Sequence, residues 1–466
     1  EGFWWSPDSR WLAYQETDES PVESRYIADP LYPESLPQKF AYPRAGTANA
    51  RVRLGIISRE GGPTRWVVWD AEKFPYLARA IWRESGAPLT ILVQDRRQQD
   101  QRLLAVDSAT GATRELLRET DPAWLNLPAV SLPRWLKGAQ QFIWATERRG
   151  FWQLEQRDAT GAFVRELTPP DLGYRSLIHV DETAGFFYVS GSADPTETHL
   201  WKFPLAGGPG RQLTTARGQH AARLSKDGRV LVHTFNLLDG TGAAHVLSAD
   251  GTKLAELPSV AERPAAIPRI ELTRTTGERS YHAALVRPRQ FQSEKKYPVI
   301  LFAYGGPQTT IVTASASAYF IDQWRADQGY IVARLDGRGT TLRGRDWQRQ
   351  MRGNFIDLLL HDQVEGLQAL GRQYPEMDLT RVGVTGWSFG GYFSAMATIR
   401  RPDIFKAGVA GAPVITWENY DTYYTERYLG LPQENPAGYR ASSVLTYAGQ
   451  LARPLLLIHG LTDDNV

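Results

Sequence analysis

The sequence predicts two fold classes in succession: an all-β repeat built from four-stranded blades, then an α/β domain around a parallel sheet. Three observations predict them. Glycine-bearing turns recur at Glu60-Gly61-Gly62, Asp107-Ser108-Ala109-Thr110-Gly111, Asp158-Ala159-Thr160-Gly161, Ala206-Gly207-Gly208 and Asp250-Gly251, roughly 43 to 50 residues apart, the period of propeller blades. Past a proline-bearing connector at 261–268, near-continuous apolar runs alternate with helical stretches, as in a sheet covered on both faces. Between two such runs stands Gly386-Trp387-Ser388-Phe389-Gly390-Gly391, a glycine-flanked serine at a strand-to-helix turn.

Trp4-Trp5-Ser6-Pro7-Asp8-Ser9-Arg10-Trp11-Leu12-Ala13-Tyr14 reads as a turn feeding an alternating strand that begins a blade's inner hairpin. Arg114-Glu115-Leu116-Leu117 and Arg165-Glu166-Leu167-Thr168 follow their turns alike, which supports the repeat. An unrelated β-rich sandwich is the alternative. In the second part, residues 298–304, 330–335, 381–385, 407–410 and 454–458 read as strands. Phe355 to Arg372 carries apolar residues at helical spacing, and the stretch after Gly391 runs as a helix to Arg400 before Pro402 stops it. The expected division is 1–260 for the β-propeller part and 261–466 for the catalytic domain.

The 466 residues, 42% hydrophobic and 22% charged, describe an ordinary globular protein with ample material for a core. No apolar run approaches the roughly 18 residues of a membrane span. A formal charge of +2 without a Lys/Arg block gives no footprint for nucleic acid, and Asp95-Arg96-Arg97 reads as a solvated turn. The absence of cysteine excludes disulfides, thiolate metal sites and cysteine nucleophiles but fits either redox compartment. The opening Glu1-Gly2-Phe3 carries neither initiator Met nor signal peptide, so a targeting segment is expected upstream or not at all.

A serine hydroxyl is a weak nucleophile at neutral pH, so Ser388 needs a histidine base and a carboxylate to orient it. The order Ser, acid, His of an α/β-hydrolase points to Asp463, after the strand 454–458 and the turn His459-Gly460-Leu461-Thr462. Asp464 competes, and the pair also reads as a turn cap. All eight histidines precede Asp463. His459 reads as packed or hydrogen-bonded structure and His361 as a surface or interface residue, so the base is expected beyond Val466, and the chain as given is expected not to turn over substrate. The Phe389 amide is one oxyanion donor. Tyr304, ending a strand before Gly305-Gly306-Pro307, is the second candidate or an ordinary aromatic over the sheet. The segment Trp417 to Tyr428 suits a small apolar pocket; Tyr420, Tyr424 and Tyr428, four apart, would share a helical face, and plain core packing is the other reading.

Together, Trp4-Trp5-Ser6-Pro7-Asp8, Tyr304-Gly305-Gly306-Pro307, Asp336-Gly337-Arg338-Gly339, Gly386 to Gly391, Trp417 to Tyr428 and Leu457 to Val466 resemble the dipeptidyl peptidase IV family in the prolyl oligopeptidase clan of serine peptidases. The resemblance is bacterial in style and runs nearly end to end. It implies an incomplete propeller, roughly five C-terminal blades of an eight-bladed ring, followed by an α/β-hydrolase domain. The implied activity is release of N-terminal dipeptides with proline, or less readily alanine, second, without metal or organic cofactor. On this likeness Ser388 is the nucleophile and Asp463 the triad acid. Tyr304 and the Phe389 amide form the oxyanion hole; Phe389, Val414, Trp417, Tyr420, Tyr424 and Val466 line the proline pocket; and Asn465 holds the internal carbonyl. Phe389 stands where mammalian relatives commonly have tyrosine, with little consequence expected for a backbone donor. The glutamate pair that holds the substrate's amino group is expected upstream of Glu1, which is not itself one of them. The resemblance further implies peptide substrates with a free N-terminus, a homodimer as candidate assembly and an extracytoplasmic, periplasmic setting. The alternatives are an acylaminoacyl peptidase, a prolyl oligopeptidase or a non-catalytic binding scaffold. An open ring exposes strand edges, so this segment alone is expected to be poorly soluble.

Overall fold

The computed structural model describes residues 2–262 and 264–465. Five four-stranded antiparallel sheets follow one another along the chain. The first joins Phe3–Trp5, Trp11–Asp18, Arg51–Ser58 and Arg65–Trp66. The second runs from Tyr76–Ile81 to Thr113–Thr120, the third from Arg134–Trp135 to Phe163–Glu166, the fourth from Tyr174–Asp181 to Arg211–Gln212, and the fifth from Gly218–Leu224 to Lys253–Leu257. These are the propeller blades. Inside the first, a two-stranded hairpin, Ser24–Ile27 with Gln38–Ala41, is inserted.

The repeat has a physical basis in how each blade's turn meets its predecessor. Gly111 and Gly161 have positive φ, and a Cβ on either would stand 2.2 Å from the Trp66 carbonyl oxygen or 1.7 Å from that of Leu116, both on the preceding blade's last strand. An arginine on that last strand then donates to the turn: Arg65 to Ser108 O at 3.2 Å, Arg114 to Ala159 O at 3.0 Å, and Arg165 to Ala206 O. The repeated arginine after each turn is therefore a clamp between blades.

The second part is built on a seven-stranded sheet. Its strands are β1 (Ile270–Arg274), β2 (His282–Val286), β3 (Tyr297–Phe302), β4 (Ile331–Asp336), β5 (Met377–Trp387), β6 (Phe405–Gly411) and β7 (Leu455–Ile458), in the order β1-β2-β4-β3-β5-β6-β7. The helices are α1 (Phe320–Ala326), α2 (Arg345–Arg349), α3 (Asp357–Gln373), α4 (Phe389–Arg400), α5 (Thr422–Leu429) and α6 (Pro436–Ser442). The five expected strands are present and mutually parallel. The sheet as a whole is mixed, because β1 and β2 add an antiparallel edge. Among the described residues coverage on both faces does not extend to β7: there it pairs only with β6, and Leu456, Leu457 and Ile458 are exposed. Among the described residues no helix is long and apolar enough to cross a membrane.

One apolar core holds both parts together, for Ala45 and Trp124 of the propeller belong to the same buried cluster as the sheet and α4. The expectation that Asp95-Arg96-Arg97 is only a solvated turn fails at Arg96. Its Nε and Nη2 donate to the buried Glu426 of α5 at 2.8 and 2.7 Å, a bidentate pair across the domains.

Candidate active site

Ser388 sits where β5 ends and α4 begins, at φ 56° and ψ −118°, a strained conformation for a side-chain-bearing residue. Its glycines answer to crowding from neighbouring strands. A Cβ on Gly386 or Gly390 would lie 2.3 Å from the Ala303 carbonyl oxygen, and one on Gly391 would lie 2.1 Å from that of Gly411. The Ser388 amide donates to Gly411 O at 2.9 Å, and Ser388 O accepts from Tyr392 N at 3.0 Å to start the helix. The hydroxyl therefore stands at a helix N-terminus, where the first amides, that of Phe389 foremost, have no intrahelical acceptor and the dipole favours negative charge.

Tyr304 follows β3, whose end is tied to β5 by Ala303 N donating to Thr385 O at 2.9 Å. The turn after it needs small residues: Gly305 has φ +69°, and a Cβ on Gly306 would stand 2.6 Å from the Phe389 ring. The Tyr304 ring lies 6.0 Å from that of Phe389, and burial pushes its phenol up. The loop that continues from Tyr304 is held by Asp336 at the end of β4. Its carboxylate accepts Ile311 N at 2.9 Å and Val312 N at 3.0 Å, while burial raises it to about 7. Sequence reading took Asp336 only as part of a motif and missed this anchoring role.

Trp387, Gly411 and Ile458 are in register across β5, β6 and β7. Ser388 and His459 thus leave the sheet at one level of its carboxyl edge. Beyond the turn, the Asp463 carboxylate accepts Asn465 N at 3.0 Å and comes within 3.4 Å of His459 Nε2. The Asn465 amide donates to the Tyr420 hydroxyl at 3.2 Å, and Tyr42 of the inserted hairpin's base donates to Asn465 O at 3.0 Å. Tyr420 is raised chiefly by burial, with Tyr304 and Asp463 both near enough to add to the shift. Tyr304, Tyr420, Asp463 and Asn465 therefore form one neighbourhood. Val466 lies outside the described residues.

The aromatic wall is continuous. Phe389 and Trp417 ring centres lie 5.4 Å apart, Trp417 stacks on Tyr424 at 6.1 Å, and Tyr420 meets Tyr424 edge-on at 5.5 Å. Val414 is buried in the same cluster. The single helical face expected for Tyr420, Tyr424 and Tyr428 is corrected: Tyr420 is extended and precedes α5, because Asp421 caps that helix by accepting Tyr424 N at 2.8 Å. The three rings meet all the same, Tyr424 and Tyr428 at 5.1 Å. Phe355, 4.4 Å from Trp417, backs the wall and was read only as a helix start.

Among the described residues one group brings metal-ligand atoms together, His361, Asp362 and Glu365, within 4.8 Å. Its carboxylates are already engaged by guanidiniums, Asp362 by Arg338 and Glu365 by Arg279. His361 is exposed, as expected.

Comparison with known proteins agrees with this architecture. The family described as the dipeptidyl peptidase IV (DPP IV) N-terminal region matches residues 1–239, and the prolyl oligopeptidase family matches 316–466. Dipeptidyl peptidase 8 of Mus musculus is 30% identical over all of this chain and 62% of its own length. Venom dipeptidyl peptidase 4 of Apis mellifera is 26% identical over all of this chain and 64% of its own. The crystal structure of Porphyromonas gingivalis dipeptidyl peptidase 4 superposes with a TM-score of 0.91 at 28% identity, covering 100% of this chain and 67% of that one. The chain thus spans about three fifths of the length of these curated relatives. With both segments matched and the blades and hydrolase sheet in place, the chain belongs to the dipeptidyl peptidase IV family of the prolyl oligopeptidase clan.

Proposed function

We propose that the full-length protein is a serine exopeptidase that releases Xaa-Pro, and less readily Xaa-Ala, dipeptides from peptide N-termini through an acyl-enzyme. The observation that carries this reading is Ser388 in its strained turn beside the wall formed by Phe389, Trp417, Tyr420 and Tyr424. A flat aromatic slot receives a pyrrolidine ring and leaves no room for a long side chain. In this mechanism the Ser388 hydroxyl attacks the carbonyl carbon of the proline residue itself, and the amine of the following residue leaves. The Phe389 amide and the Tyr304 phenol, protonated at neutral pH and pushed further from ionisation by burial, donate to the developing oxyanion. Asp463 orients a histidine that the proposal places in sequence beyond Val466, and Asn465 holds the substrate's internal carbonyl. A glutamate pair upstream of Glu1 takes the free amino group. We place the division between the two domains at 260/261, in the segment between Leu257 and β1.

The test is hydrolysis of Gly-Pro and N-acetylated chromogenic substrates by the full-length enzyme, with fluorophosphonate labelling. Preference for Gly-Pro and labelling lost in Ser388→Ala are expected. Preference for the blocked amine would make it an acylaminoacyl peptidase, and absence of labelling a binding scaffold.

A further inference from the structure

A cavity of about 590 Å³ lies between the second to fourth blades and the sheet's carboxyl edge. Part of its lining continues from elements that carry the candidate active site. Gln308 continues the loop from Tyr304, Leu342 follows β4, and Tyr423 and Arg427 stand on α5 beside the wall tyrosines Tyr424 and Tyr428.

Its charge is one-sided. Arg79, Arg175 and Arg427 line it, and among the described residues none of them pairs with a carboxylate; each donates to neutral acceptors instead. Arg79 Nη1 donates to Ala78 O at 2.8 Å, Arg175 Nη2 to Pro195 O at 3.0 Å, and Arg427 Nε to Gln98 Oε1 at 2.5 Å. The Nε atoms of Arg79 and Arg175 are buried and unpaired. The one lining carboxylate among the described residues, Glu147, is occupied by Asn126 at 2.9 Å and by Arg349 at 3.4 Å. Arg427 lies over the Tyr423 ring at 4.7 Å, and the charge of Arg79 also reaches that phenol. Burial lowers Arg175 to about 10, a desolvation that the charge of Asp194, which makes no direct ion pair with it, only partly offsets. Guanidiniums gathered in a partly desolvated wall with no directly paired carboxylate are favourably completed by an anionic ligand.

We propose that this chamber receives the part of a peptide beyond the cleaved bond and binds a carboxylate that it carries, either an acidic side chain or the free C-terminus. The inference rests on the exopeptidase reading above and adds a selectivity to it. A planar guanidinium recognises a carboxylate through paired hydrogen bonds, and one such contact supports a discrimination of about tenfold.

The experiment uses the full-length enzyme and three peptides that begin Gly-Pro: one neutral and C-terminally amidated, one with a free C-terminus, and one amidated with a single downstream glutamate. The kcat/KM ratio of each acidic peptide to the neutral one is read within each variant, so a general loss of activity cancels. Wild type is expected to prefer at least one acidic peptide by about tenfold, and which one identifies the carboxylate. Arg79→Gln and Arg175→Gln should bring the ratio toward one, with Arg175→Lys retaining part of it. A ratio of one in wild type, or a preference that survives both glutamine variants, overturns the inference while Gly-Pro chromogenic hydrolysis leaves the exopeptidase reading intact. Failure to hydrolyse that chromogenic substrate takes both.

Discussion

The two sides of helix α5 hold the molecule together in different ways. Toward the nucleophile, Tyr424 and Tyr428 pack ring against ring with Trp417 and Phe355, contacts without charge that set the shape of a slot. Toward the propeller, Tyr423, Glu426 and Arg427 are bound by directional polar contacts to Gln94, Arg96 and Gln98 of the second blade. One short helix thus serves as both pocket wall and domain bolt. The polar side fixes where the helix lies, and the aromatic side uses that position.

The largest effect is expected from breaking the bolt. Glu426 is buried, takes two bonds from Arg96 and accepts the Gly46 amide at 2.7 Å. Glu426→Ala removes the acceptor for both and leaves the guanidinium without its counter-charge, a loss of about 3–5 kcal/mol. Urea unfolding of the full-length protein measures it. A change below about 1 kcal/mol would mean that the apolar core, not the polar side, positions α5.

Next comes the wall. Tyr424→Ala opens a gap between Trp417, Tyr420 and Tyr428 and should cost about 3 kcal/mol of stability, with a rise in KM for Gly-Pro substrates. Tyr424→Phe keeps the ring and should leave both nearly unchanged. If the alanine variant loses stability but retains its KM, the wall is core packing and the slot lies elsewhere.

How much of this was legible in the sequence follows the same division. The elbow and the blade turns were readable because steric crowding dictates glycine locally: Gly386, Gly390 and Gly111 each face a backbone oxygen at a distance that no Cβ tolerates. The five parallel strands were readable as near-continuous apolar runs, β7 among them although Leu456, Leu457 and Ile458 are exposed. The antiparallel strands β1 and β2 were not: the edge strand Ile270–Arg274 is only partly buried, and His282–Val286, though buried, is likewise five residues long, too short a run to separate from a loop. Phe355 was seen as a helix position because its partner Trp417 is 62 residues away in sequence, a count that no periodicity reports. Arg96 was misread for the same reason, since a charged side chain in a turn looks alike whether it meets water or Glu426. The start of α5 did carry a signal: Asp421 before Thr422 is a capping residue type, and weighing it would have separated Tyr420 from the helix.

The smallest expected effect sharpens the point where the two sides meet. Asp421 caps α5 through the Tyr424 amide, so it orients both faces at once. Burial raises its carboxyl above the ordinary value of 3.8. A carboxyl whose pKa is higher in the folded state binds protons more readily there, so its contribution to stability falls as pH rises from the unfolded value through the folded one. Asp421→Asn keeps an acceptor for the Tyr424 amide and removes the titration; unfolding measured across that window should show a flatter decline with rising pH than wild type. Asp421→Ala removes the cap at every pH, at about 1 kcal/mol. If the asparagine and alanine variants lose equal stability, the cap bond contributes nothing and the Arg96–Glu426 pair alone sets the helix, which would place the whole burden of orienting the aromatic wall on the propeller side.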